Sequence, residues 1–126
     1  MTCKNNFERI DKMQAIQEKT DHDMLKNHVL GIIETLEKGF DEDDLNQDDE
    51  PMTAMDYIFD ALDIEYVVSS DKKTCLGARI LVAFGGPNIW INTKGIVEGY
   101  WWGESFSASY TDNIGLNDAV SELFNC

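Results

Sequence analysis

The sequence predicts an α+β domain with two N-terminal helices, a four- to five-stranded antiparallel sheet and a short C-terminal helix. Apolar residues recur at helical spacing as far as Leu62, and from Ile64 the period changes to two. The connections between the period-two runs are too short for crossover helices, so neighbouring strands must run antiparallel.

The first helix is predicted to begin near Asp21, a residue type that caps helix N-termini, with Asp23 in the first turn where the dipole favours an anion. Leu25, Val29, Ile32, Ile33 and Leu36 form its apolar face, and Gly39 after Lys38 ends it. Pro51 opens a second helix over Met52 to Leu62, where Thr53 and Asp56 have capping-box spacing. Met55, Ile58, Phe59 and Leu62 would face inward; Asp56, Asp60 and Asp63 would face outward.

Ile64–Ser69, Leu76–Phe84, Ile89–Thr93 and Ile96–Trp102 read as strands, with Gly103–Tyr110 as a looser candidate edge strand. Thr93-Lys94-Gly95 reads as a three-residue hairpin loop that pairs Ile91 with Val97 and Trp90 with Glu98. Asn117–Phe124 closes the chain as a helix. Residues 1–20 are only weakly helical, since Phe7, Ile10, Met13 and Ile16 are spaced by threes, and are expected to form a weakly ordered arm. Residues 21–126 are expected to form one domain.

The hairpin register places Ile89, Ile91, Val97 and Trp101 on one sheet face and Trp90, Tyr100 and Trp102 on the other. The favoured expectation is a core on both faces. The alternative is an exposed aromatic patch, a second candidate interface formed by Trp90, Tyr100 and Trp102; this face or the N-terminal helices with the Phe7–Ile16 arm would join two copies of the chain as a homodimer.

Charge is the outlier. With 10 basic and 24 acidic residues the net charge is −14. Residues 21–65 hold 15 acidic and two basic residues, and Asp41–Glu50 alone holds seven acids in ten positions. A field of this sign repels nucleic acid and anionic membranes and attracts cationic surfaces. The expected partner is a basic protein surface, engaged by Asp41, Glu42, Asp43, Asp44, Asp48, Asp49, Glu50, Asp56, Asp60 and Asp63. An acidic face serving only solubility is the plain alternative.

Catalytic and cofactor motifs fail residue by residue. An EF-hand loop starting at Asp41 would put Leu45 at its fifth position, Asn46 at the turn glycine and Met52 at the bidentate glutamate. His22 and His28 are six apart, near opposite faces of one helix, so they cannot share a metal. Cys75 has no neighbouring His and reads as strand packing. Gly85-Gly86-Pro87-Asn88 lacks the Lys of a phosphate loop and leads into a strand. Neither catalysis nor a cofactor or metal is expected.

Three widely spaced cysteines argue against a disulfide framework, and the first residues lack an apolar signal-peptide core. No apolar run approaches the ~20 residues of a membrane span. The expected location is the cytoplasm.

The stretch Gly77-Ala78-Arg79-Ile80-Leu81-Val82-Ala83-Phe84-Gly85-Gly86-Pro87-Asn88-Ile89-Trp90-Ile91, followed by Val97-Glu98-Gly99-Tyr100-Trp101-Trp102-Gly103, resembles short proteins of phage and mobile elements. With its acidic composition, the chain is similar to type II anti-CRISPR proteins over roughly the last 60 residues. The resemblance carries no site signature. It implies a Cas9 inhibitor acting in the host bacterial cytoplasm on Cas9 with guide RNA, whose PAM-reading and nucleic-acid surfaces are basic. An immunity protein that neutralises a toxin nuclease, and a non-inhibitory acidic accessory protein, fit the same composition.

Overall fold

The computed structural model describes residues 22–125; the arm over 1–20, the Asp21 cap, Cys3 and Cys126 lie outside these residues. Helix α1, described over 22–38, is followed by α2 (Ala54–Phe59), strands β1 (Asp63–Val68), β2 (Cys75–Ala83), β3 (Asn88–Asn92), β4 (Ile96–Trp101) and β5 (Glu104–Ser109), then α3 (Leu116–Phe124). The five strands form one antiparallel sheet in sequential order. The fold is α+β, and the looser Gly103–Tyr110 segment supplies the fifth strand.

Register makes one face of this sheet the core. Ile64, Ile80, Ile91, Val97 and Ala108 stand in a single row across all five strands, with Ile89, Gly99 and Phe106 in another. The predicted pairs Ile91–Val97 and Trp90–Glu98 are both present. Ile80, Ile89, Ile91 and Val97 are completely buried.

The face of α1 forms as its spacing dictates, with Leu25, Val29, Ile33 and Leu36 buried and Ile32 packed at the margin. It crosses β4 at Gly99, where an added Cβ would stand 2.7 Å from Val29 Cγ2 and 2.9 Å from Leu25 Cδ1. Gly99 therefore serves close approach of helix to sheet. The segment after β5 satisfies the free carbonyls at the end of α1. Asn113 N donates to Leu36 O and Asn113 Nδ2 to Glu37 O. Asp112 caps α3 from before its start, accepting from the amides of Gly115, Leu116 and Asn117.

Helices α2 and α3 pack on each other, and α3 packs against β2 on the core side, where Phe124 meets Tyr66. No described helix lies on the opposite sheet face. The expectation of a core on both faces is therefore not met by the described residues, whose helices cover one face of the sheet and leave the other open. Three helices cover the eight inward positions named by the register, and no further described element is left to form a third layer.

Helix α2 is also shorter than expected. It stops at Phe59, and a turn through Asp60–Leu62 leads into β1. Ile58 is buried and Met55 packs against the core as predicted, but Phe59 is 64% exposed and Leu62 62% exposed. One position past Ile58 rotates Phe59 by about 100° on a helix, away from the core. Leu62, outside the helix, has left its periodicity. Tyr57 takes the inward place and packs on Phe40.

Candidate binding site

The acidic run forms a pinned loop. Asn46 is its hub: its Oδ1 accepts from the amides of Asp48 and Glu50, its own N donates to Glu50 O, and its O accepts from Asp49 N. A bridge between Leu45 and Pro51 and a bond from Met52 N to Asp44 O close the base. Asp49 holds φ +60, a conformation that aspartate tolerates better than most residues. The first turn is tied by Asp44 N to Asp41 O and by Asp41 N to Asp44 Oδ2.

The loop is fastened to α2 through Asp56. Thr53 and Asp56 make the predicted capping box, and Asp56 Oδ2 also accepts from Asn46 Nδ2 at 3.2 Å. These bonds, that of Asn46 first and those of the Thr53 side chain and backbone after it, hold the Asp56 carboxyl below its usual range. The outward orientation expected for Asp56 is thereby corrected: its carboxylate turns back onto the loop, because an anion at the first turn meets unpaired backbone donors.

The other acids remain on the surface. Asp41, Glu42, Asp43, Asp44, Asp48, Asp49 and Glu50 are exposed on the loop. Asp60 is exposed at the end of α2, and Asp63 is exposed at the start of β1, where its Oδ1 accepts from Ile64 N. Leu45, Asn46, Asp48, Met52, Phe59 and Asp60 line a shared groove of about 450 Å³ between loop and helix. The sequence-predicted acids are thus brought together, except that Asp56 is structural and Asp63 stands on the sheet. Residue spacing alone carries no sign of Asn46 as organiser or of Phe59 in the groove wall.

The open sheet face carries a second arrangement, centred on Arg79. Its guanidinium lies 4.3 Å from the centroid of the Trp90 ring. Nη1 is 3.3 Å from Glu65 Oε2 and Nη2 is 3.8 Å from Glu98 Oε2; Tyr100 OH donates to Glu98. Trp90 is thus half-covered by Arg79. Tyr100 is 44% exposed. Trp102, predicted at the end of the fourth strand, lies instead in the β4–β5 turn and is 83% exposed. Of the three aromatics, Trp90 is stacked by a cation, whereas Tyr100 and Trp102 are exposed.

His22 Nδ1 is 3.3 Å from Glu104 Oε2, and His28 is exposed. Cys75 opens β2 and packs at the core margin. Among the described residues, no three His, Cys, Asp or Glu side chains are grouped to hold a metal ion, and no helix is long and apolar enough to cross a membrane. No protein-family model matches the chain, and no curated protein and no solved structure is similar to it.

Proposed function

We propose that this chain is a binding protein that inhibits a nucleic-acid enzyme by occupying its basic surface, with Cas9 and its guide RNA as the target implied by the resemblance. The observation that carries the proposal is the pinned acidic loop. Seven exposed acids sit on a loop whose backbone is fixed at Asp48, Asp49 and Glu50 by bonds to Asn46, at Asp41 and Asp44 by a turn, and to α2 by the tie from Asn46 to Asp56. A solubilising surface needs charge alone, whereas a docking surface gains from charge held in place, since less ordering entropy is lost on binding. Such a surface would attract a Lys/Arg-lined groove at long range and speed association.

The test is a pull-down with the tagged full chain against Cas9 loaded with guide RNA and against a panel of toxin nucleases. It compares the parent with a variant in which Asp41, Glu42, Asp43, Asp44, Asp48, Asp49 and Glu50 become Asn or Gln. Capture and inhibition of Cas9 by the parent alone is the expected outcome. Capture of a single toxin nuclease would replace Cas9 by that target, and retention of every interaction by the variant would remove the loop from the account.

A further inference from the structure

The β4–β5 hairpin breaks two rules of local stability at adjacent residues. Trp101 pairs with Glu104, leaving Trp102 and Gly103 as a two-residue loop, and both have positive φ, +49 and +80. Loops with this pattern favour Asn-Gly, because the first position must be left-handed. A bulky aromatic there is a strained outlier. Among the described residues, the Trp101 indole N–H beside it is buried without an acceptor, a further cost to folding. Residues that oppose the fold cluster where binding needs them.

What the strain achieves is display. The two indoles meet at 86° with centroids 5.8 Å apart, and Trp102 stands almost fully in solvent. Tyr100, Trp101, Trp102 and Glu104 line an open cleft of about 500 Å³. The Glu104 carboxylate is half exposed, with His22 on one side. Aromatic faces beside a carboxylate complement a planar cation, and the chain's net charge of −14 selects the same sign. The same protein already joins these groups once, where Arg79 stacks on Trp90 between Glu65 and Glu98.

We propose that the Trp102 corner receives an arginine side chain from a basic protein partner, the guanidinium stacking on the indole and pairing with Glu104. The inference rests on the reading of the chain as a binder of basic surfaces and adds a second, chemically distinct contact to it.

The experiment measures binding of labelled nona-arginine and nona-lysine peptides to the full chain, to Trp102→Asn, to Trp102→Tyr and to the loop-neutralised variant. Trp102→Asn creates the favoured Asn-Gly loop, so its melting temperature should rise while nona-arginine binding weakens about 3- to 30-fold. Trp102→Tyr should retain most of the affinity, and nona-lysine should lose less on Trp102→Asn, having no planar group to stack. Unchanged nona-arginine affinity in Trp102→Asn overturns the proposal, and so does a lowered melting temperature, which would make Trp102 a packing residue. Self-association that Trp102→Asn abolishes, with peptide affinity unchanged, would instead assign the corner to a second copy of the chain. Loss of binding on loop neutralisation alone would sink this inference and leave the acidic loop standing. Binding unaffected by either change would sink both.

Discussion

At the scale of residues, Gly99 and Tyr110 show how closely the core is fitted. Replacing Gly99 by Ala drives a methyl group into Val29 and Leu25, at 2.7 and 2.9 Å. Overpacking of this kind costs about 1–3 kcal/mol, which a lowered denaturant midpoint would register. Tyr110 is buried and its hydroxyl donates to Asn92 O at 2.9 Å. Tyr110→Phe should destabilise by about 0.5–1.5 kcal/mol, since the hydroxyl bond is lost while the Asn92 carbonyl keeps Gly95 N. Burial, with a smaller effect from Asp112, pushes the Tyr110 hydroxyl up from 10.0 to about 12. The folded state therefore holds this proton more tightly than the unfolded one. The corresponding stability is complete below pH 10 and is lost as pH rises towards about 12. Alkaline unfolding of Tyr110→Phe should lack that component.

At the scale of elements, α2 and the acidic loop behave as one unit joined at Asp56. Thr53→Ala removes half of the capping box and should cost about 1 kcal/mol in thermal or denaturant unfolding. Asp56 has a folded pKa below its usual value of 3.8, so its contribution is present above that value and is lost as pH falls through the lower, folded one. In Asp56→Asn the acid-induced loosening of the loop should be blunted, which amide hydrogen exchange of Asp48 and Glu50 at low pH would detect.

Strands β1 to β4 were legible in the sequence because alternation and short turns leave few registers that bury Ile80, Ile89, Ile91 and Val97 together. The capping box was legible for a similar reason, being local. The true end of α2 was not, because Phe59 and Leu62 fit a helical period that the turn at Asp60 interrupts. The loop's hydrogen bonds to Asn46 were not legible either, since an amide in an acidic run has no spacing signature. The β4–β5 turn was hidden by Trp102, whose residue type reads as strand.

At the scale of the whole molecule, the layout is asymmetric. Among the described residues, helices cover one sheet face and leave the other open, and most of the negative charge lies in the first helix–loop–helix portion. Neutralising the seven loop acids should leave the fold intact, at no more than ~0.5 kcal/mol per exposed position. Asn and Gln keep the acceptor that Asp44 offers to Asp41 N. Relief of like-charge repulsion should offset part of any loss. Circular dichroism and thermal unfolding of the variant should match or exceed those of the parent. The two surfaces, loop and Trp102 corner, would then be separable by mutation.

The most direct test of the central claim is the salt dependence of affinity for the captured basic partner, measured for the parent and the loop-neutralised variant between about 50 and 200 mM salt. Screening shortens the reach of exposed charges over this range, from a Debye length above ~10 Å to below it. The account predicts that parent affinity falls steeply with salt, and that the variant binds weakly with a shallow dependence. Equal affinity and equal slope for the two proteins would contradict it.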